Sequence, residues 1–327
     1  MTCDLDEQHD RLCPVRGGFY FFPRGARNEY PSDMNDSFER KPDWLKIQLN
    51  TTENFRYLKR LMREERLTTV CEEARCPNIH ECWGKHKTAT FMVLGEICTR
   101  RCRFCAVKTG VPLAPDWGEP QRVAESVAKM GLVHAVITMV NRDDLADGGA
   151  SVVAETVRAI RGAAPGCAVE LLTGDFQGDR EALGLVLESE PEVMGHNLET
   201  VRRLSRQVRS RSDYDRSLGL LAAARDIAPG QALKSSLMLG LGETEDEVLV
   251  AMDDLLDQGV TILNLGQYLQ PTRRHLPVQR YWTPGEFARL RERALEKGFS
   301  FCDAGPLVRS SYHAGAGYLE YLRNAKT

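Results

Sequence analysis

The sequence predicts an α/β fold in which six strand–helix units build a parallel sheet with helices outside, as in a TIM-type barrel. Three observations support this prediction. From Thr88 onward, apolar β-rich runs alternate with segments of helical period, which is the pattern of a parallel sheet. Polar motifs follow the ends of these runs, where such sheets place active sites. The chain has 327 residues and is 42% hydrophobic, which suits one barrel with a large core.

The six units follow one another along the chain. The predicted strands are Thr88–Leu94, Ala135–Val140, Ala168–Thr173, Val193–His196, Leu233–Leu239 and Thr261–Gly266. The predicted helices are Gln121–Lys129, Gly149–Arg161, Asp179–Ser189, Leu198–Gln207, Ser212–Ile227 and Thr244–Asp257. Thr244 and Glu247 form a capping-box pattern at the start of the last helix. A further β-like run, Phe299–Asp303, is expected to extend the edge of the sheet.

The remaining segments flank this barrel. Residues 1–36 lack a clear period and are interpreted as a variable, disordered or loosely attached N-terminal arm. Residues 37–87 form an N-terminal extension with a helical pattern of apolar residues, namely Phe55, Leu58, Leu61 and Met62. We expect the barrel to cover residues 88–298 and a C-terminal extension to cover residues 299–327.

Composition excludes several classes of function. The net charge of −3 provides no general field for nucleic acid, and no run approaches 18 apolar residues, so no membrane-spanning helix is expected. Clustered cysteines without a signal peptide indicate metal binding in a reducing compartment, not disulfides. We therefore expect a cytoplasmic protein, with an organellar matrix as the open alternative.

Six of the ten cysteines lie between residues 71 and 105, in two groups of three. The first group, with C-x4-C-x5-C spacing, is Cys71, Cys76 and Cys82. The second, with C-x3-C-x2-C spacing, is Cys98, Cys102 and Cys105. Soft thiolates select iron–sulfur clusters, zinc or Cu(I), and structural zinc usually has four ligands. A [4Fe–4S] cluster can take three ligands from one loop and leave its fourth iron open. The pattern favours clusters, with structural zinc as the alternative.

The second group follows the first predicted strand and resembles the radical S-adenosylmethionine (radical SAM) enzymes. Together with the first group it resembles the lipoyl synthase family, over roughly residues 41–314. Further matching motifs are KPDWLK at Lys41–Lys46, NRDDLADGGA at Asn141–Ala150, HNLET at His196–Thr200, GLGET at Gly240–Thr244, GQYLQPTRRHLPVQRY at Gly266–Tyr281 and RSSYHA at Arg309–Ala314. The resemblance implies a partial TIM-type (β/α)6 barrel of the radical SAM type, open at one side.

The resemblance also implies an activity, the radical SAM-dependent insertion of two sulfur atoms at C6 and C8 of a protein-bound octanoyl chain. Acid–base catalysis cannot open unactivated C–H bonds, so cofactor-based radical chemistry is required. The implied cofactors are two [4Fe–4S] clusters and S-adenosyl-L-methionine (SAM). The implied ligands of the SAM-cleaving cluster are Cys98, Cys102 and Cys105. The implied ligands of the sulfur-supplying auxiliary cluster are Cys71, Cys76, Cys82 and Ser311.

Two alternatives stay open at this point. One is another radical SAM enzyme, which performs a different sulfur insertion or uses its auxiliary cluster for electron transfer. The other is a cysteine-rich metal-binding or sensing module without enzymatic activity.

Five residues near strand ends are candidate SAM contacts. Asp147, with the flexible Gly148 and Gly149, is expected to contact the amino group or ribose of SAM. The alternative for the same three residues is a turn followed by a helix start. Asn197 ends the fourth strand and is placed in the same site, whereas Lys234 either contacts the SAM carboxylate or reaches the barrel rim.

Arginines accompany both cysteine groups. Arg309 and Tyr312 are expected to contact the substrate, and Arg309 is also a candidate to hold the adjacent Ser311. Arg100, Arg101 and Arg103 interleave the second cysteine group, where positive charge favours thiolates. We expect at least one of these three to be solvated.

The implied partners are proteins. The substrate is an octanoylated lipoyl carrier domain, either a 2-oxoacid dehydrogenase E2 or the glycine cleavage H protein. An electron donor is also required, and an iron–sulfur carrier protein is a candidate for rebuilding the consumed cluster. A basic run is expected to dock an acidic carrier, with a solvated loop as the alternative. It comprises Arg273, Arg274, His275 and Arg280.

Overall fold

The computed structural model describes residues 41–47, 51–83 and 90–324. The proposed arm at residues 1–36 and the first two residues of the predicted first strand lie outside these ranges. The unit described below begins at Lys41. Within these ranges, no helix is long and apolar enough to cross a membrane.

A mostly parallel sheet of eight strands forms the centre of the molecule, with the order β1-β2-β5-β6-β7-β8-β9-β10. Only β1 runs antiparallel, to β2. The bounds are β1 Thr68–Thr69, β2 Thr90–Val93, β5 His134–Met139, β6 Ala168–Leu172, β7 Val193–Gly195, β8 Ala232–Leu239, β9 Ile262–Gln267 and β10 Phe301–Gly305. A separate parallel pair joins β3 Ile97–Cys98 to β4 Lys108–Thr109. Because β1 and β10 are the two edges, the sheet is not closed, which confirms the predicted open α/β architecture.

Helices connect the parallel strands, as the sequence predicts. The bounds are α1 Glu53–Glu64, α2 Val70–Glu73, α3 Ile79–Glu81, α4 Glu119–Met130, α5 Ala150–Ala163, α6 Arg180–Leu187, α7 Arg202–Val208, α8 Tyr214–Ile227, α9 Glu245–Asp257, α10 Pro284–Lys297 and α11 Ala314–Asn324. The predicted apolar face of α1 is buried, and the capping box of Thr244 and Glu247 is present at the start of α9. Local sequence signals therefore define most of these elements correctly.

One predicted helix begins later than expected. The prediction started at Leu198, whereas α7 starts at Arg202. The intervening backbone continues beside β8, because the Glu199 amide donates to the Ser236 carbonyl and the Met238 amide donates to the Glu199 carbonyl. Glu199 also has a left-handed backbone, with φ of 68°. Pairing with the neighbouring strand thus replaces the first turn of the predicted helix.

The two ends of the sheet differ in what covers them. Val193, Ala232 and Ile262 are the first residues of β7, β8 and β9, and they form a small buried cluster. Two tyrosines of α11, Tyr318 and Tyr321, pack against this cluster. The C-terminal helix therefore covers the amino ends of the strands. The carboxyl ends are left to surround a cavity.

Gly149 provides a test of the turn that precedes α5. Its φ is +91°, and a Cβ atom there would lie 2.4 Å from Leu94 Cδ1. Gly149→Ala is expected to destabilise the protein by about 1–3 kcal/mol, because both the backbone and the contact oppose a side chain. The measurement is the midpoint of thermal unfolding.

The matched control is Gly162→Ala inside α5, where no atom lies within 4 Å of the added Cβ. This change is expected to leave stability unchanged or to raise it by about 0.5–1 kcal/mol. Equal midpoints for Gly149→Ala and wild type would contradict the steric account.

Candidate active site

A cavity of about 830 Å³ lies at the carboxyl end of the sheet. Residues just beyond three neighbouring strands line it: Asn141 after β5, Thr173 after β6 and Asn197 after β7. This is the edge at which parallel α/β sheets bind ligands. The cavity is thus the strongest candidate for the active site among the described residues.

The second cysteine group lines this cavity through Cys98, Cys102 and Cys105. Its loop follows β3, which ends at Cys98, and the Gly110 amide closes the loop by donating to the Cys98 carbonyl at 3.1 Å. Within the loop, the Cys105 amide donates to the Cys102 carbonyl at 3.2 Å. The loop is therefore a compact, hydrogen-bonded turn that holds three thiols toward one space.

The first cysteine group reaches the same cavity through Cys71 and Cys76, whereas Cys82 is not among its lining residues. Cys71 lies in α2, and the Cys76 amide donates to the Cys71 carbonyl at 3.0 Å. Asn78 Nδ2 donates to the Leu307 carbonyl at 2.7 Å, which joins this extension to the C-terminal loop.

The C-terminal loop contributes Arg309, Ser310 and Ser311 to the cavity lining. Burial raises the pKa of the Cys76 thiol, and the nearby Arg309 charge opposes that shift. The structure therefore brings the predicted Ser311 and Arg309 to the same cavity as Cys71 and Cys76.

The cysteine arrangement suits clusters better than single metal ions. All eight described cysteines are free thiols. Among the described residues, no three His, Cys, Asp or Glu side chains converge closely enough to hold one ion. Zinc requires each sulfur about 2.3 Å from a single point, whereas a cubane distributes three thiolates over three irons. Each group has three cysteines, which is the number a cubane can take from one loop, whereas structural zinc usually has four ligands.

Burial also affects the ionisation of these thiols. It raises the pKa of Cys71 and Cys102 to about 11 and that of Cys105 to about 12. The free thiols are therefore neutral near pH 7, and binding to a metal supplies the driving force for their deprotonation.

Arg100 lies inside the second cysteine group and has a side chain that is only 2% exposed. Its guanidinium donates to Asp143 at 2.7 and 2.9 Å, to Asp175 at 2.6 Å and to Ser212 Oγ at 3.1 Å. Asp175 is completely buried and accepts a further hydrogen bond from Arg216 Nε at 2.9 Å. One arginine therefore connects the cysteine loop to loops after β5 and β6 and to the start of α8.

The electrostatics of this network depend on the same contacts. Burial opposes the ionisation of Asp175, but the hydrogen bonds and charge of Arg100 outweigh it and hold the pKa of Asp175 well below its usual value. Arg101 and Arg103 are exposed, which confirms that some of the three arginines are solvated. Asp143 and Asp175 were not among the predicted site residues, although each follows a predicted strand, which is a usable signal.

The predicted SAM contact at Asp147 has a different environment. One of its carboxylate oxygens accepts from the Gly149 amide at 2.9 Å, and the other accepts from the amide and hydroxyl of Ser151. Neither Asp147 nor Gly148 nor Gly149 lines the cavity. These contacts match the alternative, a turn and helix start, and the SAM contact of these three residues stays a prediction.

Lys234 also has a partner within the chain, and its contact with the SAM carboxylate stays a prediction. Its ammonium group is buried and donates to Glu170 Oε1 at 2.7 Å, and the other oxygen of Glu170 lies 3.4 Å from His134 Nε2. Burial alone would raise the pKa of Glu170, but the charge of Lys234 lowers it below its usual value. This ion pair satisfies the lysine inside the sheet, and Lys234 does not line the cavity.

The Tyr312 hydroxyl donates to Glu81 Oε2 at 3.1 Å, and Tyr312 does not line the cavity, so its contact with the substrate stays a prediction. Asn197 does line the cavity, and its amide donates to Glu199 Oε1 at 3.1 Å.

The HNLET match covers Glu199, which was not among the predicted site residues. Arg209 was also missed, and its charge opposes the burial that raises the pKa of both Glu199 and Cys102.

The basic run after β9 divides into two parts. His275 Nε2 lies 2.9 Å from the Cys105 carbonyl, and its Nδ1 lies 2.8 Å from Thr272 Oγ1. Arg280 pairs with Glu286 and stacks over the ring of Trp282 at 3.9 Å. These two residues support the loop and its contact with the cysteine group, whereas Arg273 and Arg274 are exposed.

The Arg100 network leads to a direct test. Arg100→Gln removes the cation shared by the buried Asp175 and the partly buried Asp143, and breaking a buried ion pair typically costs about 3–5 kcal/mol. The variant is expected to unfold at a lower temperature than wild type and to retain less than half of the iron after desalting. Both quantities can be measured by differential scanning fluorimetry and iron analysis.

Arg101→Gln is the matched control, because Arg101 is the exposed neighbour in the same loop. It is expected to keep the wild-type unfolding temperature and iron content. Equal values for both variants would show that the buried network does not hold the loop.

Comparison with known proteins agrees with this geometry. The model of the radical SAM superfamily matches residues 92–255, and the model of the N-terminal domain of lipoyl synthase of the radical SAM family matches residues 26–76. Lipoyl synthase of Oceanobacillus iheyensis is 62% identical over 275 residues, which cover 84% of this chain and 88% of the relative. Lipoyl synthase of Bacillus cytotoxicus is 60% identical over 289 residues, which cover 88% of this chain and 96% of the relative.

Solved structures share the fold at low sequence identity. Streptococcus suis SuiB bound to S-adenosylmethionine matches with a TM-score of 0.53 at 10% identity, over 70% of this chain and 54% of that chain. Methylornithine synthase (PylB) matches with a TM-score of 0.53 at 12% identity, over 84% of this chain and 81% of that chain. The sequence matches, at about 60% identity over most of the chain, carry the assignment further: the chain belongs to the lipoyl synthase family of the radical SAM superfamily.

Proposed function

We propose that this chain acts as a lipoyl synthase and replaces one hydrogen at C6 and one at C8 of a protein-bound octanoyl chain with sulfur. The observation that carries the proposal is that residues from both cysteine groups line one cavity, together with Ser311. A substrate carbon in that cavity would be within reach of both groups. Neither a structural metal site nor a metal sensor requires such an arrangement.

The family's cofactors fit the residues of the cavity. We propose that Cys98, Cys102 and Cys105 hold one [4Fe–4S] cluster and that Cys71, Cys76, Cys82 and Ser311 hold the other. When bound, the first supplies the electron that converts SAM to a hydrogen-abstracting radical, and the second supplies sulfur. An oxygen ligand at Ser311 is harder than thiolate and would leave iron more readily. A labile fourth position suits a cluster that gives up sulfur.

The chain's own residues would bind, orient and shield the reactants. Arg100 fixes the loop of the first proposed cluster through its buried contacts with Asp143 and Asp175. Among the apolar residues of the cavity, Phe104, Met238 and Leu269 are suited to contact an eight-carbon chain and to exclude water. Asn197 and Glu199 provide polar groups at the same strand ends and are the proposed SAM contacts.

The proposed carrier is the lipoyl domain of a 2-oxoacid dehydrogenase E2 or the glycine cleavage H protein. An electron donor and an iron–sulfur carrier protein are the further proposed partners.

The free state of the eight described cysteines supports a reducing compartment, and we propose the cytoplasm or an organellar matrix. Arg309 lines the cavity beside Cys76 and is the proposed substrate-side cation.

Ser311→Cys tests the labile-ligand role. A fourth thiolate should hold the auxiliary iron more firmly, so the variant is expected to cleave SAM to 5′-deoxyadenosine yet to form at least tenfold less dithiol product. Mass spectrometry of the reaction with an octanoyl-lysine peptide measures both 5′-deoxyadenosine and the dithiol product. The control is Ser310→Cys, because Ser310 lines the same cavity but is not the proposed ligand.

Full dithiol product from Ser311→Cys would contradict the labile-ligand role. Absence of both 5′-deoxyadenosine and dithiol product from the reconstituted wild-type chain would overturn the proposed function itself.

Arg273 and Arg274 give a second test, because both are exposed on the loop that His275 joins to the cysteine group. Replacing both with glutamate is expected to raise the KM for the acidic carrier severalfold while kcat stays constant, since charge at an interface rim affects association most. Unchanged steady-state kinetics would remove this loop from the docking site.

A further inference from the structure

Helix α1 carries a basic face that the proposed chemistry does not use. Arg56, Lys59, Arg60 and Arg63 recur at spacings of three and four residues, so they lie on one side of the helix. The opposite side is buried through Phe55, Leu58, Leu61 and Met62. The basic face is therefore displayed on a helix that is firmly packed against the core.

The side chains of these four residues have no ion pair or hydrogen bond with any part of the chain that the structure describes. Many other exposed arginines are paired, for example Arg202 with Asp215 and Arg203 with Glu247. The whole chain has a net charge of −3, so the face concentrates positive charge on a slightly acidic molecule. Such a patch attracts an acidic partner over a longer range than paired charges do.

The position of the face connects it to the candidate active site. Its four residues line a surface depression of about 510 Å³ together with Thr51, Phe55 and His80. The ring of His80 stacks on Phe55 with 4.6 Å between centroids, and His80 also lines the large cavity. His80 therefore borders both the depression and the cavity.

Positive charge continues from α1 to the cavity itself. Lys41 and Arg75 are exposed and line the large cavity. Arg75 also reaches across to the Pro271 carbonyl at 3.5 Å, close to the exposed Arg273 and Arg274. Basic side chains thus lie on α1, in the cavity lining and on the loop after β9.

We infer that the basic face of α1 is the primary docking surface for the octanoylated carrier, an acidic protein domain. This inference rests on the proposed function and names the contact that delivers its substrate. Arginines at an interface form strong, directional contacts with carboxylates, and a packed helix presents them at little entropic cost. Docking beside His80 would place the carrier's acylated lysine next to the cavity that accepts the acyl chain.

The test compares two substrates of the cluster-loaded enzyme. Arg56→Glu combined with Arg60→Glu is expected to raise the KM for the octanoylated carrier domain at least tenfold, with kcat unchanged. Turnover of a short, uncharged octanoyl-lysine peptide is expected to stay within twofold of wild type, because the peptide lacks the acidic domain. The KM effect is expected to shrink as salt is raised.

The control is Arg206→Glu combined with Arg289→Glu. Both residues are exposed, lie on α7 and α10, and do not line the cavity, so the pair changes the net charge equally. This variant is expected to keep the wild-type KM for the carrier domain. An equal KM increase in the control, or a wild-type KM in the α1 variant, would overturn the docking surface.

Two further outcomes distinguish a failure of the docking surface from a failure of the proposed function. If wild type forms no dithiol product on either substrate, the proposed function fails. If wild type is active and the α1 variant loses only its response to an added iron–sulfur carrier protein, the surface serves that partner and the inference is overturned.

Discussion

The buried contact of Arg100 with Asp143 and Asp175 is the interaction on which the candidate site depends. It links the second cysteine group to two strand ends at once, at distances of 2.6–2.7 Å. A buried pair adds little net stability over an apolar replacement, but loss of one partner is costly. The network therefore specifies the position of the cysteine loop and does not simply stabilise the barrel. If the three thiols of this loop share one cluster, as proposed, they require such a fixed loop.

The two ends of the open sheet differ: the amino end is packed, and the carboxyl end surrounds the cavity. At the amino end, α11 covers the first residues of three strands, and Lys234 and Glu170 form a buried pair within the sheet. At the carboxyl end, the extensions before and after the barrel add Cys76 and Ser311 to a cavity made by strand ends. This division explains why two charged residues of similar burial, Lys234 and Arg100, have different roles.

Much of this arrangement follows from the sequence, because alternation of strands and helices and the spacing of six cysteines are local signals. The strand order and the open sheet follow from them by general rules of topology. The contacts that Asp147 and Lys234 make within the chain could not be predicted, for a different reason. A carboxylate before a helix and a lysine in a strand find partners in Ser151 and Glu170, and those contacts depend on tertiary packing. For the same reason the partners of Arg100 were not foreseen.

The central claim is that both cysteine groups hold [4Fe–4S] clusters at one cavity. Iron and sulfide content after anaerobic reconstitution tests it most directly. Two clusters require about eight irons and about eight sulfides per chain, and replacing Cys71, Cys76 and Cys82 together with alanine should reduce each value to about four. Replacing only Ser311 with alanine should leave the content unchanged. About four irons in the wild-type protein, or stoichiometric zinc, would contradict the account.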